Sequence, residues 1–346
     1  MNYSRVCGAC TAAALLVITS AAKAGDSSLP SGYVSVSVPA NSDAFVAVPF
    51  VQAPTFDGLI TAISPNITVA SAHGASADLY YVRVNTGAKK GLWSTISAVP
   101  SATELTLADA SIQAALVVGD SVTVYPHQTL STVFPPAMVG ITYIQSVSGS
   151  NRNTEILEMD NTSVLQNKSA AATYYYLAGV WRKTGSGADF TNYVLPPDKP
   201  FIIRNKNNAN PLPFAAAKFV AQELWTGRAI PGSTPNDLYV ATTRPVAMTL
   251  NELQLGGTAA FRDSASASTR HDEILVFDNA ATGQNKSASG TYYYIGGVWR
   301  KTGSGLDWSN DPSVLPPGAG FIIRRKTSGP VPPASVDWSV INPVLK

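Results

Sequence analysis

One stretch of this chain occurs twice. Residues 173–187 read TYYYLAGVWRKTGSG and residues 291–305 read TYYYIGGVWRKTGSG, identical at 13 of 15 positions and 118 residues apart. Each copy holds three tyrosines, a two-residue break, then Val-Trp-Arg-Lys. Aromatic and β-branched residues suit a pleated, half-buried surface, so the spacing predicts a β-hairpin. The break is Ala178-Gly179 in the first copy and Gly296-Gly297 in the second. Two-residue hairpin loops demand positive φ, which glycine adopts at little steric cost. Ala178-Gly179 meets that demand readily only at its second position.

A loop of that length fixes the pairing: Leu177 with Val180, Tyr176 with Trp181, Tyr175 with Arg182, Tyr174 with Lys183. Alternation then gathers Tyr174, Tyr176, Trp181 and Lys183 on one face, and Tyr292, Tyr294, Trp299 and Lys301 on its counterpart. The opposite faces carry Tyr175, Leu177, Val180 and Arg182, and Tyr293, Ile295, Val298 and Arg300. Both faces mix apolar and polar side chains, so the pattern leaves open which one is buried.

The duplication reaches further. Residues 43–47 (DAFVA) resemble 237–241 (DLYVA) at an offset of 194. EILEMD at 155–160 matches EILVFD at 273–278, and Asn167-Lys168-Ser169 matches Asn285-Lys286-Ser287. LPP at 195–197 and FIIR at 201–204 return at 315–317 and 321–324. The offsets 194 and 118 differ by 76, so the first unit carries an insertion of that size. Four or five short strands, separated by turn residues, fall inside it: 79–84, 91–98, 104–107 and 120–125 among them. Residues 108–117 suit a short helix capping them. This spacing predicts a small barrel or sandwich.

The expected fold is all-β: two homologous sandwich- or barrel-like units, the first with an inserted barrel-like module, after a signal peptide. The expected boundaries are 1–24 for the signal peptide, 25–56 plus 127–213 for the first unit and 57–126 for the insertion. The second unit is expected over 214–330, with a short helix or strand at 214–224, and a Pro-rich C-terminal tail over 331–346.

The signal peptide is read from Arg5, an apolar stretch at 11–22 and an Ala22-Lys23-Ala24 cleavage site. Cys7 and Cys10, the only cysteines, lie inside it, so the expected mature chain has no disulfide and no cysteine metal site. No second stretch is apolar enough to span a membrane. The chain is 45% hydrophobic but only 13% charged, which with frequent Gly and Pro fits an exported all-β protein. A net charge of +2 argues against a nucleic-acid or membrane-surface partner.

No constellation of residues announces chemistry. His73, His127 and His271 are not paired at ligand spacing, so no metal and no cofactor is expected. Lys183–Gly187 has Lys-Thr before its glycines and follows a strand, unlike a phosphate-binding loop. Glu155, Glu158, Asp160, Asp189 and Asp307 are the carboxylates from which a glycosidase pair would be drawn, though turns and solvated faces account for them better. Asn66, Asn161, Asn167 and Asn285 begin Asn-x-Ser/Thr sequons. The Tyr/Trp/Lys faces of the hairpins are the binding candidates, since rings on a sheet can stack on sugars. Packing of the same rings into a core is the preferred reading, with Tyr175 and Arg182 as a cation–π pair.

The stretches VSVPANSDAFVAVPF, YYVRVNTGAKKGLWSTIS, GDSVTVYPHQTLSTVFP and NKSAAATYYYLAGVWRKTG, and the late LPP and GFIIRRK, together resemble a paralogous family of uncharacterised secreted β-rich proteins from Verrucomicrobia-type bacteria. The resemblance implies export and a β-rich build, and it transfers no catalytic residue. The expected role is a secreted, non-enzymatic surface or extracellular protein, structural or adhesive, with glycans or other envelope and matrix proteins as partners. A carbohydrate-binding protein and a polysaccharide-degrading enzyme are the alternatives.

Overall fold

The computed structural model describes residues 31–135, 145–206, 212–219, 225–242, 244–330 and 335–341. The expected signal peptide lies outside the described residues.

The chain opens with β1 (Ser31–Val38) and β2 (Ser42–Val46). Six strands follow: β3 (Phe56–Ile63), β4 (Ile67–Val69), β5 (Tyr80–Val84), β6 (Trp93–Ser101), β7 (Glu104–Leu107) and β8 (Ser121–Pro126), with helix α1 (Ala110–Ala115) before the last. Then come β9 (Gln128–Thr129), a helical turn α2 (Leu130–Val133), β10 (Thr154–Met159), β11 (Ala170–Leu177), β12 (Val180–Lys183), β13 (Val194–Leu195), β14 (Phe201–Asn205) and β15 (Leu212–Phe219). The remainder is β16 (Trp225–Pro231), β17 (Asn236–Ala241), β18 (Asp272–Val276), β19 (Gly290–Ile295), β20 (Val298–Lys301), β21 (Gly320–Arg325) and β22 (Ser335–Ile341). The described residues are all-β apart from α1, α2 and a single 3-10 turn at Asn251–Leu253.

Strands β3 to β8 close into a barrel in the order β3-β4-β7-β6-β5-β8. Closure removes the sheet edges that would otherwise invite foreign strands. Alternation sends Ile60, Val82, Val84, Ile96, Leu105, Val122 and Val124 inward, where all are buried. Helix α1 packs Ile112 into the same core, its first turn capped by the Asp109 carboxylate accepting from the Ser111 and Ile112 amides. The barrel packs Tyr81, Trp93 and Tyr125 against the core of the first sheet, and the Asp198 carboxylate ties the two together. Trp93 Nε1 donates to Asp198 Oδ2 at 2.6 Å, and Arg83 lies 3.5 Å from Oδ1.

Two five-stranded antiparallel sheets have the same order, β12-β11-β10-β14-β2 and β20-β19-β18-β21-β17. The expected hairpin register is present in both: Tyr174 faces Lys183, Tyr176 faces Trp181, Tyr292 faces Lys301 and Tyr294 faces Trp299. Each sheet covers one face with a two-stranded ribbon, β1–β15 for the first and β16–β22 for the second.

Both ribbons depart from the expected boundaries. Strand β15 crosses 213/214 and pairs with β1 from Ser31↔Phe219 to Val38↔Leu212, so it closes the first sandwich. Part of the expected tail is strand β22, paired with β16 from Trp225↔Ile341 to Pro231↔Ser335. Its alternate residues Trp338 and Val340 are buried, and Trp338 Nε1 donates to the Leu253 carbonyl at 2.7 Å. Prolines 330, 332 and 333 precede this strand and none interrupts it. Pro213 and Pro231 sit near ribbon ends, where proline is tolerated.

The remaining faces of the two sheets meet each other. Phe45, Met159, Tyr239, Leu275 and Ile322 form a buried cluster there, with Ile202 and Phe277 half-buried around it. Phe45 stands edge-on to Tyr239 and Phe277, with centroids 6.1 and 5.2 Å away.

Candidate functional site

Alternation decides what each hairpin side chain touches. Tyr174 and Trp181 point into the core of the first sandwich with no exposure at all. Tyr292 and Trp299 do the same in the second, at 4% and 1%. Trp181 Nε1 donates to the Phe134 carbonyl at 3.2 Å, which satisfies its polar edge. Tyr176 and Tyr294 are half-buried against these tryptophans, at centroid distances of 5.6 and 5.3 Å. Of the candidate sugar platform, neither indole presents a free face for stacking. Lys183 and Lys301 are half-buried at its margin.

The opposite face carries Tyr175, Leu177, Val180 and Arg182, and its counterparts Tyr293, Ile295, Val298 and Arg300. The guanidinium over Tyr175 is that of Arg152, 5.4 Å from the centroid, and Arg270 repeats this over Tyr293 at 5.5 Å. Arg182, the expected partner, donates to the Gly187 carbonyl instead. Its counterpart Arg300 donates to Gly305.

Each carboxylate singled out in the sequence has structural partners. Glu155 is paired with Arg152 at 2.9 Å and Lys206 at 3.9 Å; Glu273 repeats this with Arg270 and Lys326. Glu158 is buried and accepts from the Tyr174 hydroxyl at 3.1 Å, the Tyr193 hydroxyl at 2.9 Å and the Lys199 ammonium at 2.5 Å. Burial and the neighbouring Tyr193 and Glu158 hold the Tyr174 hydroxyl far above the usual phenol range. Asp160 accepts from the hydroxyls and amides of Ser163 and Thr162, which hold it well below the usual carboxylate range. Asp189 and Asp307 lie lower for a similar reason, the hydrogen bonds of Thr191 and Ser309. The three histidines are apart. His73 meets the Glu104 carbonyl at 3.2 Å, His127 the Thr95 hydroxyl at 3.1 Å and His271 the Asp263 carbonyl at 2.6 Å. No group of three or more metal-ligating side chains is gathered among the described residues.

The polar residues that the fold does bring together lie between the sheets. Asp43 on β2 receives Arg204 Nε and Nη2, both at 2.8 Å, and the Asn285 amide at 2.7 Å. Asp237 on β17 receives Arg324 Nε and Nη2, both at 2.8 Å, and the Asn167 amide at 2.8 Å. Arg204 also reaches Asn285 Oδ1 at 2.6 Å, and Arg324 reaches Asn167 Oδ1 at 2.6 Å. So the Asn-Lys-Ser loop of each sheet seals the Asp–Arg pair of the other.

Further ties follow the same reciprocal rule. The Phe45 amide donates to Asn279 Oδ1 at 2.7 Å while Asn279 Nδ2 donates back to the Phe45 carbonyl. Tyr239 and Asn161 make the same two bonds. Ala47 donates to the Gly318 carbonyl and Ala241 to that of Asp198, both at 2.9 Å. Three of the four sequon asparagines are engaged in this junction; the fourth, Asn66, accepts from Thr106 at 3.0 Å. The recurrence of Asp, Arg and Asn at matched offsets was the available signal for this site.

Two concavities flank these elements. One, of about 570 Å³, lies between the sheets beside Asp43, Lys168, Asp237, Lys286 and Arg324. The other, of about 790 Å³, runs between β1 and the second sheet and is floored by Tyr292, Lys301 and Trp308. No helix among the described residues is long and apolar enough to cross a membrane. No family model, curated protein or solved structure matches the chain.

Proposed function

We propose that this is an exported, non-enzymatic protein with a structural or adhesive role in the cell envelope or extracellular matrix. It would be built from two homologous β units, the first carrying the barrel. The reciprocal lock between the sheets supports this reading most. The polar side chains present in both copies tie one sheet to the other, as expected of a rigid structural part. The carboxylates considered for hydrolysis are committed to arginines, lysines, tyrosines and turn amides. A cysteine-free mature chain is compatible with export and makes its stability independent of redox state.

Fractionation of producing cells tests the reading. The chain should begin at Gly25 and be found in the envelope, on the surface or in the medium. Full-length chain confined to the cytoplasm would overturn it.

A further inference from the structure

One set of matched positions differs between the two sheets in a way that opens a groove. In the first sheet the Tyr174 ring is covered by Tyr193 and Phe190, with centroids 4.9 and 5.8 Å away. Below them Glu158 is closed off by Lys199. The positions corresponding to Glu158, Phe190, Tyr193 and Lys199 in the second sheet are Val276, Trp308, Ser313 and Ala319. The covering phenol has become an exposed hydroxymethyl, and the buried carboxylate–lysine pair has become apolar. Room is left for a groove of about 790 Å³ whose far wall is residues 34–37 of β1. That volume lies within the range of small-ligand sites.

We propose that this groove binds a neutral saccharide, with Trp308 as the stacking platform. Trp308 is half-buried, so part of its ring borders the groove. Tyr292 stands edge-on to it at 5.8 Å, and the Lys301 ammonium lies 5.1 Å from the Trp308 centroid and 5.8 Å from that of Tyr292. These contacts fix the indole before any ligand arrives, which lowers the ordering cost of binding. A pyranose ring presents an apolar C–H face to such an indole and hydroxyls around its rim. The rim here meets the carboxylate of Asp278, the hydroxyls of Ser313 and Ser37, and Lys301. Asp278 and Ser313 are exposed, so their remaining hydrogen-bonding capacity faces solvent. A cation and a carboxylate in one groove favour an uncharged ligand over a polyanion.

The inference stands apart from the structural role, because a matrix or envelope protein needs no such groove. It differs from stacking on the hairpin faces, whose tryptophans are core.

The test is binding of the full chain to an array of neutral and acidic oligosaccharides, followed by titration of the best neutral ligand with tryptophan fluorescence as readout. Trp308→Ala should weaken binding at least tenfold. Ser313→Tyr, which restores the first sheet's covering ring at an exposed position, should do the same with an unchanged unfolding curve. Phe190→Trp in the first sheet should leave affinity as it was. A blank array, binding confined to acidic glycans, or binding that survives both groove variants would overturn the site. A blank array from a protein found on the cell surface removes the groove and leaves the structural reading intact.

Discussion

Asp237 is fully buried, and each of its carboxylate oxygens takes one nitrogen of Arg324. Deleting the carboxylate strands a guanidinium whose side chain is only 20% exposed. Breaking a buried pair from one side costs about 3–5 kcal/mol, and the residual exposure of Arg324 places this case near ~3 kcal/mol. Asp237→Ala should lower the urea unfolding free energy by that amount, and Asp43→Ala by a similar one. His127 offers a second test at this scale. It is 2% exposed and burial pushes its imidazole down to about 4. The unfolded chain takes up a proton near pH 6.5 that the folded chain refuses until about 4. Stability is therefore full above pH 6.5 and falls as pH drops towards 4, by up to about 3 kcal/mol. Urea titrations at pH 7.5 and 4.5 should show this loss, and His127→Gln should flatten it. The residues involved were hard to weigh in the sequence. Asp43 and Arg204 are 161 positions apart. Their recurrence as Asp237 and Arg324 was visible, but only the fold shows that matched residues face each other.

At the scale of elements, the hairpins were legible because register follows from loop length and alternation, both written locally. Their turns also carry a test. Ala178 adopts φ +52°, a left-handed conformation, where the second copy has Gly296 at +59°. A side chain in that region costs about 1 kcal/mol relative to glycine. Ala178→Gly should stabilise the chain by up to ~1 kcal/mol and Gly296→Ala should destabilise it by a like amount, read from thermal unfolding. Nothing lies within 4 Å of a Cβ built on Gly296, so the effect is backbone strain and not a clash. The barrel strands were legible for the same local reasons, alternation between turn residues. The ribbons were not. Strand β22 alternates Val336, Trp338 and Val340 towards the core, yet three prolines just before it suggested a tail. Strand β15 begins at Leu212-Pro213, at the expected boundary between the two units. In each ribbon the partner lies more than a hundred residues away, as with Ser31 and Phe219 or Trp225 and Ile341, and no local signal names it.

At the scale of the molecule, β2 and β17 are the terminal strands of their sheets. An unprotected terminal strand offers a row of free amides to other chains. Here the amides of Asp43, Phe45 and Ala47 go to Gly283, Asn279 and Gly318 of the second sheet. Those of Asp237, Tyr239 and Ala241 go to Leu165, Asn161 and Asp198 of the first. The arrangement is isologous within one chain: each sheet caps the other's edge with matching groups. Amide hydrogen exchange on the intact protein reads these six N–H groups directly. The reciprocal lock predicts that all six are protected, to similar degrees, alongside the amides of Ala44 and Val46 that face β14. Fast exchange of Asp43, Phe45, Ala47, Asp237, Tyr239 and Ala241 beside slow exchange of Ala44 and Val46 would mean that the sheets do not hold each other.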